Sequence, residues 1–344
     1  AQPWFLYLAF NAPHFPLQAK EADIAHYANR YHVGWDEIRR QRLERMKQLG
    51  IVAPETRLSP RSSYEDYGQT TTGTNPAWDT IPEDRREDLA RRMAIYAAMV
   101  SSMDDNIGRV LKTLDSRGQR ESTLIIFLSD NGACAEWDPW GFDVKSSPFN
   151  ILHRGDKLDD MGGPGTFHSA GSGWAGASNT PWRLYKHYNH EGGINSPCII
   201  SWPTLDRPAA FDRQGTLDHT PTQIIDLLPT FLDVASAENA EHEDLPGLSL
   251  QPLIEGTSLG PRMLFFEHEG NRAVTDGRWK LVALRDRPWE LYDTSVDRIE
   301  QDYLADKHPE RVSILGKAWD AWAQENQVTP LPNDYEVKYL RANP

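Results

Sequence analysis

The feature that most constrains the fold is a long amphipathic segment followed closely by a short apolar run. Apolar residues recur at spacings of three and four across residues 87–116, which predicts a helix with one apolar face. Gly118 is a typical helix end, and residues 123–129 (TLIIFLS) then form a run rich in strand-favouring residues. Such a run after such a helix is typical of a parallel strand covered on both faces. The sequence therefore predicts a layered α/β core.

Two other apolar runs predict further buried strands of this core, at residues 5–10 (FLYLAF) and 197–202 (PCIISW). Residues 20–50 are heavily charged and are predicted to be helical. Residues 137–179 are rich in Gly, Ser, Pro and Asp, which predicts a long loop of functional or mobile character. The chain has no initiator Met and opens in a predicted core strand, so we expect a fragment or a processed product.

After about residue 256 the pattern changes to short strands separated by turn residues, which is typical of an antiparallel meander. The predicted strands are residues 263–266, 272–275, 279–284 and 289–292, and a helix at about 308–326 follows them. We therefore expect two domains. Residues 1–256 would hold the α/β core with its long loop, and residues 257–344 would form a small α+β subdomain.

The charge balance argues against nucleic acid as a partner. The chain has 36 Lys and Arg against 50 Asp and Glu, a net charge of −14, and no basic block, whereas nucleic-acid binders normally carry a basic surface. No apolar run approaches the roughly 20 residues of a membrane span, so no membrane association is expected. The two cysteines, Cys134 and Cys198, do not predict a disulfide framework and leave the compartment open.

Polar residues at three places are candidates for chemistry. His14 follows the first predicted strand, and Asp130 and Asn131 follow the strand at 123–129, where ligands of open α/β sheets bind. Lys186 lies five residues before a Glu-Gly-Gly turn. Each also has an ordinary interpretation: a loop histidine, an Asp-Asn-Gly turn and a solvated lysine. The residues alone leave the choice open.

The order of several motifs resembles that of type I sulfatases in the alkaline-phosphatase-like superfamily. The motifs are residues 11–18 (NAPHFPLQ), 129–132 (SDNG), 186–193 (KHYNHEGG), 276–281 (DGRWKL) and 290–293 (ELYD). The resemblance covers essentially the whole chain and is closest to bacterial arylsulfatases. It implies an alkaline-phosphatase-like layered sheet core, here incomplete, with a small C-terminal antiparallel sheet plus helix.

The resemblance also implies roles for four residues. Asp130 and Asn131 would supply oxygen ligands to one Ca²⁺, a hard cation that prefers such donors. Lys186 would contact a sulfate oxygen, and His14 would face the sulfate or the leaving-group oxygen. Asp130 would also accept a proton from the nucleophile. Two-zinc relatives typically carry Asp-His-Gly, so Asn131 favours one calcium over two zincs.

The resemblance further implies a formylglycine nucleophile, made from Cys or Ser in a Cys-x-Pro-x-Arg type motif. Neither Cys134 nor Cys198 lies in such a motif. In family order the nucleophile precedes His14, so we expect it upstream of Ala1. The chain is then the C-terminal portion of a sulfatase, inactive alone, and its missing N-terminal portion is a required partner.

The expected function is hydrolysis of sulfate monoesters, with an aryl or carbohydrate group that the sequence does not specify. Family resemblance implies a periplasmic or secreted intact protein. Two alternatives remain open at this point. The first is a phosphonate or phosphodiester hydrolase of the same superfamily. The second is an inactive homologue that acts as a binding module, which the missing nucleophile favours and the four retained site residues oppose.

Overall fold

A computed structural model of the protein describes residues 3–62, 74–136, 139–147, 149–203, 215–237 and 245–330. The helices are α1 (Glu21–Tyr27), α2 (Gly34–Gln48), α3 (Glu83–Ser116), α4 (Ser172–Asn179), α5 (Glu191–Ile194), α6 (Leu227–Val234), α7 (Gln251–Ile254) and α8 (Pro309–Glu325). The strands are β1 (Ile125–Leu128), β2 (Cys198–Ser201), β3 (Leu264–His268), β4 (Asn271–Thr275), β5 (Trp279–Ala283) and β6 (Glu290–Asp293). No helix among the described residues combines the length and apolar character that crossing a membrane requires.

The predicted long helix is α3, and it carries the main apolar core. Its buried residues pack against α1 and against three tryptophans from separate segments, Trp35, Trp78 and Trp174. The tryptophan rings meet edge to face or tilted, with centroids 4.9 to 5.7 Å apart. The Trp174 indole nitrogen donates a hydrogen bond to the Leu89 carbonyl (2.8 Å), so the core has one buried polar link that fixes α4 against α3.

The predicted helical region at 20–50 is confirmed, but it is divided into two helices. The structure has α1 and α2 with a break before Gly34, which has a φ of +82°. A Cβ at this position would lie 2.1 Å from the Trp78 ring. Glycine is therefore required both for the backbone conformation and for the close approach of the indole.

The predictions for the strand at 123–129 and its partner at 197–202 were partly wrong. Both strands exist, but β1 pairs with β2 in antiparallel register, Ile125 opposite Ser201. They are also not buried, since Phe127 is 37% exposed and Ile199 is 60% exposed. Within the described residues β1 and β2 form a two-stranded sheet, so each has one neighbour and neither is enclosed.

The predicted strand at residues 5–10 is wrong in the described structure. This segment forms no strand, and its side chains are exposed, Phe5 by 70% and Tyr7 by 80%. The Phe5 ring does contact Phe231 of α6, with centroids 5.4 Å apart. A strand needs a partner for its backbone hydrogen bonds, and no described strand pairs with this segment.

The predicted C-terminal meander is confirmed. Strands β3, β4, β5 and β6 form an antiparallel sheet in sequence order, and α8 packs against β4 and β5. Leu315 and Trp319 of α8 are buried against Val274 and Leu281 of the sheet. The domain boundary at 256 stays a prediction. Residues 331–344 of the predicted subdomain, and residues 137, 138 and 148 of the predicted loop, lie outside the described residues.

The loop predicted at 137–179 contains more structure than expected. It includes α4, and a buried charge network anchors it to α3. Arg92 of α3 is fully buried and donates hydrogen bonds to Asp88 (2.6 Å) and to Asp143 of the loop (2.8 Å). Asp143 also contacts His168, and Asp88 contacts His153 (2.9 Å). The loop is therefore held by charges that are paired out of water.

This network predicts a loss of stability in acid. Burial raises the pKa of Asp88, but hydrogen bonds from His153 and the charge of Arg92 outweigh it and lower the pKa from 3.8 to about 2. The unfolded chain then binds the proton more tightly than the folded one. The resulting stabilisation, about 2 kcal/mol, is complete above about pH 5 and is lost as the pH falls toward 2.

Urea denaturation between pH 6 and pH 3 measures this effect. We expect Asp88→Asn to be less stable at pH 6 and to show a shallower fall of the unfolding free energy in acid. The control is Asp104→Asn, on the exposed side of the same helix, which should behave like the wild type. Identical acid slopes for Asp88→Asn and the wild type would contradict the role of Asp88.

Candidate functional site

Asp130 and Asn131 lie just beyond the end of β1. The backbone N–H of Asn131 donates to the Asp130 carboxylate (3.1 Å). The side-chain Nδ2 of Asn131 donates to the Gly132 carbonyl (2.8 Å). This second bond uses the nitrogen of the side-chain amide, so the carbonyl oxygen is the end that can ligate a cation. A turn of three residues therefore carries both a carboxylate and an amide oxygen.

The Gly-Gly pair of the KHYNHEGG motif explains how this turn is held. The Gly132 N–H donates to the Gly193 carbonyl (2.9 Å), and Asn179 bridges the two segments by bonding Ala133 N (3.0 Å) and the Gly192 carbonyl (2.8 Å). A Cβ on Gly132 would lie 1.8 Å from the Gly192 oxygen. The two motifs thus meet backbone to backbone, with no space for a side chain.

Gly132→Ala is accordingly expected to lower the unfolding free energy by about 1–3 kcal/mol, the usual cost of forcing extra atoms into a packed site. The added methyl has to displace a backbone carbonyl, which cannot move aside as a flexible side chain would. Chemical denaturation measures the loss. Gly163→Ala is the matched control, because its nearest new contact, the Asp160 carbonyl, is 3.5 Å away. Equal stabilities for the two variants would show that the contact is not tight.

Lys186 and His14 meet beside this turn although they are 172 positions apart. The backbone N–H of Lys186 donates to the Ala133 carbonyl (3.0 Å), which places the lysine next to the end of β1. The Lys186 Nζ is 3.2 Å from the His14 Nε2. Since His14 Nδ1 lies 2.9 Å from the Phe15 carbonyl, an acceptor, Nδ1 carries the proton and Nε2 accepts from the lysine.

Sequence reasoning missed a second group of side chains that surrounds Lys186. His187 Nε2 contacts Glu136 (2.7 Å), and its Nδ1 faces His268 Nε2 (3.2 Å). The Cys134 thiol donates to the other oxygen of Glu136. The one sequence signal for this group was the position of His187 beside Lys186. The other members come from distant segments and show no spacing pattern.

Neighbouring charges and burial determine the protonation of Glu136 and Cys134 in this group. Burial raises the pKa of Glu136, but the hydrogen bond and charge of His187 lower it to about 2, so Glu136 is ionised at neutral pH. Burial and the charge of Glu136 raise the pKa of the Cys134 thiol well above its usual value. Cys134 is therefore a protonated hydrogen-bond donor and not a nucleophilic thiolate.

Glu191, the acidic residue of the KHYNHEGG motif, has a structural role. Lys280 of β5 is fully buried and pairs with Glu191 (2.9 Å) and with Glu300 (2.8 Å). His190, the residue before Glu191, is also buried and contacts Glu290 (3.3 Å). The C-terminal sheet therefore holds the segment that carries Gly192 and Gly193 through the side chains of Lys280 and Glu290.

Together these contacts bring side chains of opposite character near the end of β1. Asp130 and Asn131 offer hard oxygen donors, while Lys186 and His14 offer an ammonium and an imidazole. Oxygen donors suit a hard cation, and nitrogen donors suit an oxyanion. The arrangement fits a small anion that is bound between a cation and the lysine.

Comparisons with known proteins point to one family. A family model described as Sulfatase matches residues 1–237. The chain is 32% identical to a sulfatase of Schizosaccharomyces pombe, covering 97% of this chain and 60% of that protein. It is 34% identical to an arylsulfatase of Klebsiella aerogenes, covering 69% and 47% respectively. The chain thus spans about half the length of these relatives.

A solved structure, Ps i-CgsB in complex with k-i-k-neocarrahexaose, has the same fold as this chain. The TM-score is 0.57 at 22% identity, with 98% of this chain and 54% of that chain covered. At that identity the likeness concerns the fold alone. It agrees with the alkaline-phosphatase-like α/β architecture that the sequence motifs imply.

Proposed function

Since this chain belongs to the sulfatase family, we propose that the protein hydrolyses sulfate monoesters at the site formed by His14, Asp130, Asn131 and Lys186. The observation that carries the proposal is the 3.2 Å contact between Lys186 Nζ and His14 Nε2, beside the turn that holds Asp130 and Asn131. A relative of this chain is named as an arylsulfatase. The proposed substrate is therefore an ester sulfate of an aryl or carbohydrate alcohol.

The four residues divide the chemistry between them. Asp130 and Asn131 would hold one Ca²⁺, which supplies positive charge to a sulfate oxygen when bound. Lys186 would donate to a second sulfate oxygen and stabilise the charge that develops during transfer. His14 would face the sulfate or the leaving-group oxygen. Asp130 would also accept the proton of the nucleophile.

The nucleophile of the proposal is a formylglycine. The 344 residues contain no Cys-x-Pro-x-Arg motif, so the proposal assigns the formylglycine to sequence outside them. It follows that the 344 residues alone should show no turnover, and that a protein with the complete sulfatase domain should be active. On family resemblance, we also propose that this protein is periplasmic or secreted.

Parallel rate measurements test the proposal. A protein with the complete sulfatase domain is assayed with an aryl sulfate and with the matching aryl phosphate and phosphonate esters. We expect the highest kcat/KM for the sulfate, and a large loss of activity after treatment with a calcium chelator that added Ca²⁺ restores. Faster turnover of the phosphonate would support the phosphonate hydrolase alternative. No turnover of any ester would support a binding module.

A further inference from the structure

Three side chains beside Lys186 converge on one point that the proposed reaction does not use. The ligand-type atoms are His187 Nδ1, His268 Nε2 and a Glu269 carboxylate oxygen. His187 Nδ1 is 3.2 Å from His268 Nε2 and 3.5 Å from the Glu269 oxygen. All three atoms lie within 4.8 Å of one another.

The two separations from His187 Nδ1, 3.2 and 3.5 Å, match a tetrahedral metal centre. Metal–nitrogen and metal–oxygen bonds of about 2.0–2.1 Å at tetrahedral angles place two ligand atoms about 3.3 Å apart. Two imidazoles and one carboxylate are also the donors that Zn²⁺ and similar dications prefer, and three protein ligands leave a fourth position open. This donor set differs from the all-oxygen pair of Asp130 and Asn131.

The ring of His187 is already oriented for ligation. Its Nε2 lies 2.7 Å from a Glu136 oxygen, so Nε2 donates to the carboxylate and Nδ1 is the ring nitrogen that faces the cluster. Glu136 is fixed in turn by the Cys134 thiol on its other oxygen. A carboxylate behind a histidine is the usual arrangement around metal-bound imidazole, and it raises the basicity of the ligand.

A second histidine cluster among the described residues is not expected to bind a metal ion. Asp143, His153 and His168 also lie close enough to share an ion. The Arg92 guanidinium, however, already bonds both oxygens of Asp143, at 3.0 and 2.8 Å. A cation is thus built into that cluster, and a second one would be repelled.

We propose that His187, His268 and Glu269 bind a transition-metal dication of the Zn²⁺ type, one ion per chain. The site is separate from the proposed calcium site and does not depend on the proposed reaction. Glu136 is a positioning residue that acts through His187.

Titration of the metal-free full chain with Co²⁺ tests the proposal, because tetrahedral Co²⁺ has strong visible absorption bands. Excess Ca²⁺ in the buffer keeps oxygen-only sites occupied. We expect one equivalent of tetrahedral Co²⁺ that Zn²⁺ displaces. Glu136→Gln should raise the Kd about 10- to 100-fold, the usual effect of losing a carboxylate behind a ligand. His268→Ala should raise it by at least as much. His153→Ala is the matched control and should leave the Kd unchanged.

His268 is exposed at the end of β3, so its replacement should not disturb the fold, and circular dichroism verifies this. Glu269→Gln, in the turn after β3, is a second ligand variant that retains the size of the side chain. Absence of the tetrahedral band in the wild type would overturn the proposal. So would an unchanged Kd in folded His268→Ala and Glu269→Gln, or a loss of binding in His153→Ala.

Discussion

Lys280→Met is expected to lower the free energy of unfolding by about 3–5 kcal/mol, the range seen when one member of a buried ion pair is removed. The ammonium of Lys280 is buried between Glu191 and Glu300, at 2.9 and 2.8 Å. Burial lowers the pKa of Lys280, but the charges of these two carboxylates outweigh it and raise the pKa above its usual value. Methionine fills a similar volume and leaves two buried acidic groups without their common partner.

Urea denaturation of the variant measures the loss, and Lys112→Met on the exposed surface of α3 is the control. Adding Glu191→Gln and Glu300→Gln to Lys280→Met should recover part of the stability, because the uncompensated charges are then removed. A loss for Lys280→Met no larger than that of the control would mean that the ion network contributes nothing. The same result would remove our explanation for how β5 supports the Glu191–Gly193 segment.

Lys186→Met is expected to reduce kcat/KM for an aryl sulfate by about 100- to 1,000-fold in a protein with the complete sulfatase domain, the usual effect of deleting one group that stabilises transition-state charge. The ammonium would contact the sulfate most strongly when negative charge develops on it, so most of the loss should appear in kcat. Lys186 is partly exposed, and the variant should remain folded.

Steady-state kinetics separate this role from a structural one. The melting temperature of Lys186→Met should stay close to that of the wild type, and Lys112→Met should retain wild-type rates. A lower melting temperature with unchanged kcat would identify Lys186 as a structural residue. Unchanged kinetics and stability would exclude it from the site.

Local patterns predicted α3, α8 and the C-terminal sheet well. The spacing of Leu89, Met93 and their neighbours marks α3, and the turn residues between short runs mark β3 to β6. The strands β1 and β2 were harder, because an apolar run such as 123–129 shows that a strand is favoured but not which strand lies beside it. The same limit explains the wrong prediction at 5–10, since strand formation depends on partners elsewhere in the chain.

In the candidate site too, local features could be predicted from the sequence and contacts between distant segments could not. Asp130 and Asn131 could be predicted from their position after a strand, while His14 and Lys186 gained weight only from the resemblance between motifs. Glu136, His187 and His268 could not be predicted, because their relation is a contact between a loop, a turn and a strand end. Contacts between distant segments leave no regular spacing of residues in the sequence. Glu191 was part of a quoted motif, yet its pairing with a buried lysine from another motif required the structure.

A crystal structure of the protein with the complete sulfatase domain, grown with Ca²⁺ and sulfate, tests the central claim most directly. We expect a cation about 2.3–2.6 Å from the Asp130 and Asn131 oxygens, the normal calcium–oxygen distance. We also expect a sulfate within about 3 Å of Lys186 Nζ that shares an oxygen with that cation. A cation bound elsewhere, or a sulfate that contacts neither Lys186 nor His14, would contradict it.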